Sequence, residues 1–250
     1  VIELSPPLKS ISERTQERLG VLRDSQRVYE PNESVYRNLG HKTLIPVVGP
    51  SSAGKSVAID ETVRLDSRFG PVRSFSTRDP RSDDTPETMV CLPWDEQHIK
   101  RICNTIDAGD AVQYVFHPKT GDVYGTTLDS YPKEYNLLPA LSNSVAAMEK
   151  LPFRAVLPVG IVAPPEIWAM RFETREFSSA DDRKARLAEA AISTAWLLEH
   201  PHVAIINNQE GEVEHTATQI RDYALSQGSA TPPRDEVTAR ELLNYIRSIS

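Results

Sequence analysis

Eight consecutive residues, Gly49-Pro50-Ser51-Ser52-Ala53-Gly54-Lys55-Ser56, bring two glycines, a lysine and a hydroxyl together at a spacing that suits an anion. They fit the pattern G-x-x-x-x-G-K-[ST], whose chemistry is phosphate binding. Gly49 and Gly54 let the backbone bend until successive N–H groups converge on phosphate oxygens, and a helix starting there adds a favourable field. Lys55 would then reach the β/γ-phosphates, and the Ser56 hydroxyl would complete the shell of a magnesium ion. The flanks agree with this use. Leu44-Ile45-Pro46-Val47-Val48 reads as a buried strand, and Val57-Ala58-Ile59 opens a helix. That strand–loop–helix context separates a phosphate loop from a Gly/Ser-rich turn. The implied ligand is a nucleoside triphosphate.

The elements that must hold such a loop are readable in outline. With 250 residues and 39% hydrophobic content the chain can bury one substantial core. Residues 1–41 are polar, with a helix through Lys9–Arg23 carrying Leu8, Ile11, Leu19 and Leu22 on one side, then a loop at Pro31-Asn32-Glu33. After the phosphate loop a helix runs to about Arg68 and breaks at Gly70-Pro71. A strand at Val72–Ser76, a polar stretch at Asp79–Thr88 and a helix at Asp95–Ala108 follow. Ala111–Phe116 and Val123-Tyr124, joined through Pro118–Asp122, read as a hairpin. Strands are expected at Leu137–Leu141, Val156–Val162 and Val203–Ile206, and helices from Pro164-Pro165, over Ala180–His200 and over Glu212–Ser226. Ser226–Pro233 reads as a linker before a terminal helix, Asp235–Ile249, with an apolar stripe for the protein's own core or a second subunit. Alternating strands and helices imply an α/β fold, a mostly parallel sheet flanked by helices.

Charge and composition narrow the partners. A net charge of −7 argues against a nucleic-acid-binding surface. No apolar run reaches the ~18–20 residues that span a bilayer, and the first residues do not form a signal peptide, so no membrane partner is expected. Cys91 and Cys103 lack metal-ligand spacing, which fits a reducing, cytoplasmic setting. The histidines show no metal pattern, and Trp94, Trp168 and Trp196 read as packing residues.

Further motifs stand in a fixed order. Phe75-Ser76-Thr77-Arg78-Asp79-Pro80-Arg81 is similar to an S-x-T-T-R-x-P-R segment, Tyr124-Gly125-Thr126 to a Tyr-Gly-[ST] turn, and Ile161-Val162-Ala163-Pro164-Pro165 to a strand ending in a double proline. Arg171, Arg175 and Arg186 fall at lid-arginine spacings, and Ile206-Asn207-Asn208 ends the last strand. Together these resemble the guanylate kinase-like family of P-loop nucleoside monophosphate kinases across roughly residues 43–225. The resemblance implies a P-loop NTPase fold with a small acceptor-binding subdomain, about 74–130, and a helical lid, about 171–190. Residues 1–42 become an N-terminal helical extension, and 226–250 a linker and C-terminal helix.

The resemblance assigns roles residue by residue. ATP would meet Gly49, Ser51, Ser52, Ala53, Gly54, Lys55, Ser56 and Val57, with Asn207 and Asn208 nearer the donor's base and Arg171 at its base or phosphates, and Mg2+ would meet Ser56. The acceptor would meet Ser74, Arg78, Arg81, Gln113, Tyr124 and Thr126. Lys55, Arg78, Arg175 and Arg186 would be catalytic, neutralising phosphoryl charge and, on a closing lid, excluding water. Surface-exposed alternatives stand beside these: Arg78 and Arg81 could balance Asp79, Asp83 and Asp84, and the lid arginines could line a solvated helix face.

Three departures concern the acceptor's base. Gln113 stands where the family has a guanine-reading Glu, Met89 near its first tyrosine phosphate ligand, and Leu138-Pro139-Ala140-Leu141 in place of an acidic strand end. The acceptor is thus a phosphorylated small molecule, GMP by default. Thr77-Arg78-Asp79, Leu141-Ser142-Asn143-Ser144 and Ile206-Asn207-Asn208 also resemble ribose 1,5-bisphosphate phosphokinases, the runner-up. A third reading, a catalytically silent protein-binding module, is opposed by the intact Lys55 and Ser56. A homodimer stays open.

Overall fold

The computed structural model describes residues 11–81, 84–117, 120–177, 179–226 and 231–249. In chain order α1 spans Glu13–Ser25, α2 Glu33–Leu39, β1 Thr43–Val48, α3 Lys55–Leu65, β2 Phe69–Pro71, β3 Ser74–Ser76 and β4 Met89–Cys91. Then come α4 (Glu96–Asp107), β5 (Ala111–Phe116), β6 (Val123–Thr127), β7 (Tyr135–Pro139) and α5 (Val145–Met148). The chain continues through β8 (Ala155–Val156), β9 (Val159–Val162), α6 (Pro165–Glu173) and α7 (Ala180–Glu199). It closes with β10 (Ala204–Asn207), α8 (Val213–Leu225) and α9 (Glu236–Ser248). These elements gather into two compact units, one of the described residues up to His41 with Val72–Pro132, the other of Lys42–Pro71 with Lys133–Ser250.

The larger unit is a parallel sheet in the order β10-β9-β1-β7-β2, with β8 also paired to β1. Its strands are apolar on both faces, as a sheet covered on both sides requires. Along β10 the alternation is explicit. Ala204 and Ile206 join a core with Ile45 and Val47 of β1, Ile59 of α3 and Ile220 of α8. Ile205 turns the other way, to Val48, Val162, Trp168, Phe172, Leu197, Leu242 and Ile246. Helices α3 and α8 thus cover one face and α6, α7 and α9 the other. The stripe on α9 packs on the protein's own core, with Leu242 and Ile246 fully buried. The approach to α9 also covers the edge of β10: Ile205 N donates to Pro233 O (2.8 Å), and Asp235 N to Ile205 O (2.9 Å).

The smaller unit is a sheet in the order β4-β3-β6-β5, antiparallel except between β3 and β4. Helices α1 and α4 pack through Leu19, Leu22, Ile99, Ile102 and Ile106, with Ile11 just ahead of α1, onto Tyr114, Phe116 and Val123. Ser12 caps α1 and is bound by Glu96 of α4, accepting from the Ser12 N–H (2.7 Å) and hydroxyl (2.8 Å).

The parallel sheet flanked by helices agrees with the sequence reading; several boundaries do not. The first helix runs over Glu13–Ser25, and Leu8 and Lys9 lie outside the described residues. The expected loop at Pro31–Glu33 leads into α2, because the Asn32 side chain accepts from Val35 N (3.0 Å) and caps a new helix. Helix α3 stops at Leu65, and Gly70-Pro71 form part of β2. Proline is tolerated there because β2 is the sheet's edge. The strand expected at Val72–Ser76 is shorter: only Ser74–Ser76 is a strand, β3, and it belongs to the other sheet. Pro158 divides the strand expected over Val156–Val162 into β8 and β9. Strand β4 lies just past the stretch read as polar coil, paired in parallel with β3. The hairpin tip at Pro118-Lys119 and most of the 226–233 linker fall outside the described residues.

Candidate functional site

In the larger unit the carboxyl ends of β1, β9 and β10 lie side by side, Val48 beside Gly160 and Asn207 beside Val162. Such strand ends are where ligands bind in parallel α/β sheets. The loop from Gly49 to Gly54 leaves β1 there and enters α3. Its backbone takes left-handed values at Gly49 (φ 140°), Ser52 (φ 69°) and Gly54 (φ 91°). Glycine is needed at both ends of the loop. A Cβ at Gly49 would fall inside the Ile161 carbonyl of β9, and one at Gly54 inside the Asn208 amide.

The loop's carbonyls are tied by neighbouring donors. Lys55 Nζ donates to Gly49 O (2.6 Å) and Pro50 O (2.9 Å). Trp168 Nε1 donates to Ser51 O (2.8 Å), and Asn208 Nδ2 to Ala53 O (2.9 Å). With the Gly49, Pro50, Ser51 and Ala53 carbonyls so occupied, the peptide planes of this arc are held in place. Trp168 and Asn208 are themselves buried, Trp168 stacked on Phe172 at 4.7 Å. Trp168 is therefore more than the packing residue its sequence position suggested. Its α6 register aims the indole N–H at the loop.

Charge is concentrated around Lys55. Lys55 is half-buried, and desolvation lowers its pKa to about 8. Glu189 opposes the shift, while Arg175 and Arg186 add to it. Both expected lid arginines are thus within electrostatic range of Lys55. Arg186 is paired to Asp182 (3.3 Å), whereas Arg175 is exposed and makes no ion pair among the described residues. Glu189 escaped the sequence reading, since on a charged helix it looks like any surface carboxylate. In the fold it accepts hydrogen bonds from Ser193 and from the backbone N–H of Ser51, and burial raises its pKa.

The Lys55 shift has a sign that can be tested. Between pH 8 and 10.5 the native lysine holds fewer protons than the unfolded one, so its contribution makes unliganded stability rise with pH across that window. A phosphate held by Lys55 would favour the ammonium, so the affinity for such a ligand would fall as pH rises above 8. At pH 8.5 binding should take up protons, read by calorimetry in buffers of different ionisation enthalpy. Equal heats in both buffers would remove Lys55 as the titrating group.

The remaining donor residues are dispersed around the loop. Ser56 and Val57 are exposed on the first turn of α3, where a hydroxyl can meet a ligand. Arg171 reaches Glu210 (2.8 Å) and the Asn208 carbonyl (3.3 Å). Asn207 and Asn208 point apart. Asn207 Nδ2 donates to Asp235 (3.1 Å) and Thr238 (3.3 Å) at the start of α9, while Asn208 is buried against the loop. Among the described residues no group of three or more His, Cys, Asp or Glu is placed to hold a metal ion.

The smaller unit gathers the residues assigned to an acceptor. Ser74 and Ser76 lie on β3, Tyr124 and Thr126 on the adjacent β6, and Gln113 on β5. Thr126 is buried and shares a hydrogen bond with the Tyr131 hydroxyl (2.9 Å), which also engages Gln113. Arg78 follows β3 and is ion-paired to Asp84, as the alternative reading expected, but its side chain is only 9% accessible and not exposed. Tyr124 lies within electrostatic range of the same guanidinium. Arg81 is exposed, its N–H bound to Asp84 (2.7 Å).

No helix among the described residues is long and apolar enough to cross a membrane. A scan of protein-family models and a search of curated proteins return no match. Among solved structures the chain is similar to the guanylate kinase from Anaplasma phagocytophilum, at 15% identity and a TM-score of 0.46, over 82% of this chain and 94% of that one. At that level the similarity names neither family nor substrate, and the fold rests on the chain's own strand order and loop geometry.

Proposed function

We propose that the chain is an ATP- and magnesium-dependent kinase that phosphorylates a phosphorylated small molecule, GMP by default. One observation supports this most: a glycine-bounded loop at the end of a central parallel strand, its carbonyls tied by Lys55, Trp168 and Asn208, with Lys55, Arg175 and Arg186 grouped by charge. Phosphoryl transfer asks for little covalent chemistry and much positioning and charge neutralisation. The loop's N–H groups and Lys55 would hold the donor's phosphates, and Arg175 and Arg186 would offset charge on the transferring group. Ser56 is the hydroxyl available to Mg2+, which when bound neutralises and aligns phosphate oxygens.

In the smaller unit, Arg78, Arg81, Ser74 and Tyr124 would hold the acceptor's phosphate. Gln113 favours a second acceptor. Its engagement by Tyr131 competes with reading a guanine edge, which suits a sugar bisphosphate. The experiment is an ADP-release assay with ATP and Mg2+ against GMP, dGMP, AMP, CMP, UMP and ribose 1,5-bisphosphate. Turnover on GMP is expected. Turnover confined to the sugar bisphosphate would replace GMP by the second reading, and failure to bind ATP at all would leave the protein-binding module.

A further inference from the structure

The smaller unit has a concavity on the face of its sheet turned away from the residues assigned to an acceptor. Side chains alternate along a strand, so Phe75 points opposite to Ser74 and Ser76 on β3, and Val90, its partner on β4, shares the Phe75 face. Helix α4 covers this face over β5 and β6, where Ile99, Cys103 and Ile106 are buried with Ala111, Tyr114 and Val123. Beside α4, over β3 and β4, a cavity of about 320 Å³ stays open, with Phe75, Val90 and Leu92 half-buried in it and Ile102 of α4 in its wall. That volume is at the lower end of the ~300–1,000 Å³ that small-molecule sites occupy.

Gly125 shapes the floor. It stands opposite Phe75 where β3 pairs with β6, and a Cβ there would fall inside the tip of the Phe75 ring. Glycine thus lets the ring lean across β6 instead of standing away from the sheet, which keeps the space above it free. The rim is charged. Arg73, two residues before Phe75, and Arg101 of α4 both line the cavity, are exposed, and make no ion pair among the described residues. Asp129 is the single acidic residue of the lining. Two cations against one carboxylate, in a chain of net charge −7, suit a ligand with one negative charge. A phosphate dianion would exceed that balance and lose more hydration against an apolar floor, whereas a carboxylate matches the arginine fork. A flat ring matches the floor, since aromatic faces stack on one another.

We infer that this cavity binds a small aromatic carboxylate, its ring laid on Phe75, Val90 and Leu92 and its carboxylate held by Arg73 and Arg101. Binding here involves neither the phosphate loop nor the face of β3 that carries Ser74 and Ser76, so it does not depend on the kinase reading.

The test uses the full chain with 13C-labelled methyl groups, with 2-naphthoate as the probe and 2-naphthalenemethanol as its neutral counterpart. Naphthoate should shift the methyl signals of Val90, Leu92 and Ile102 and leave in place those of Val21 and Val28, which are exposed and do not line the cavity. Replacing both rim cations, Arg73→Gln with Arg101→Gln, should weaken naphthoate about tenfold and the alcohol by less than about twofold. Thr105→Phe, from the α4 wall, should fill the space and abolish the shifts from both probes. Shifts as large at Val21 and Val28 as in the cavity, or naphthoate binding untouched by Thr105→Phe, would overturn the site. Equal affinity for acid and alcohol, or naphthoate affinity unchanged in the double arginine variant, would overturn the assignment to an acid. Tighter binding of 2-naphthyl phosphate than of 2-naphthoate would overturn the choice of a carboxylate.

Discussion

Replacing Lys55 by alanine is expected to lower kcat by about a thousandfold or more, a loss on the order of 4 kcal/mol of transition-state stabilisation. The reason is local. Lys55 is the cation tied directly into the loop, its Nζ on the Gly49 and Pro50 carbonyls, so it stands where donor phosphates would sit. Arg175 and Arg186 lie within electrostatic range, but one is exposed and the other is shared with Asp182, and neither is fixed to the loop. The fold should survive. The ammonium is desolvated in the native state, which offsets the two hydrogen bonds it makes, so the melting temperature should move by only a few degrees, roughly the effect of 1 kcal/mol. ADP release and thermal melting measured on the same preparation separate the two effects. Retention of more than about a tenth of the wild-type rate would remove Lys55 from the transferring group.

Gly49→Ala should act in the opposite way, on the fold before the chemistry. At φ 140° any L side chain is strained, and the new Cβ would fall inside the Ile161 carbonyl of β9. That neighbour is backbone in the middle of the sheet and cannot swing aside. Relief requires β1 and β9 to part near Val48 and Gly160, in the core of the larger unit. A destabilisation of about 3–5 kcal/mol is expected from strain and overpacking together, read as a lower urea midpoint. Gly54→Ala, at φ 91°, meets a side-chain amide instead, that of Asn208, which can move at the cost of its bond to Ala53 O. It should cost less in stability. A Gly49→Ala protein within about 1 kcal/mol of wild type would mean that the loop is not seated on β9 as described.

How much of this was legible beforehand follows from the range of each interaction. The glycine-bounded loop, the buried strand before it and the helix after it are written in adjacent residues, so they could be read without a fold. The parallel sheet was legible for the same reason, since apolar runs alternate with amphipathic stretches. Asn32 shows where local reading failed: as a helix cap it starts α2, but beside Pro31 it looked like a turn. Gly70-Pro71 looked like a break and became an edge strand, because only the sheet shows that no neighbour needs the proline's missing N–H.

By itself, then, the sequence determined the loop between β1 and α3 and the α/β class of the chain, because both depend on residue types at short fixed spacings. Only the tertiary structure decided which distant residues meet that loop. It set Trp168 and Asn208 on the loop carbonyls, 117 and 155 residues along the chain from their partners. It turned the neighbouring Asn207 towards α9, gave Glu189 to the Ser51 N–H and buried Arg78 against Asp84. A side chain's type limits the bonds it can make. Which bond it makes is set by the groups the fold leaves within about 3 Å of it, and no local pattern encodes that distance.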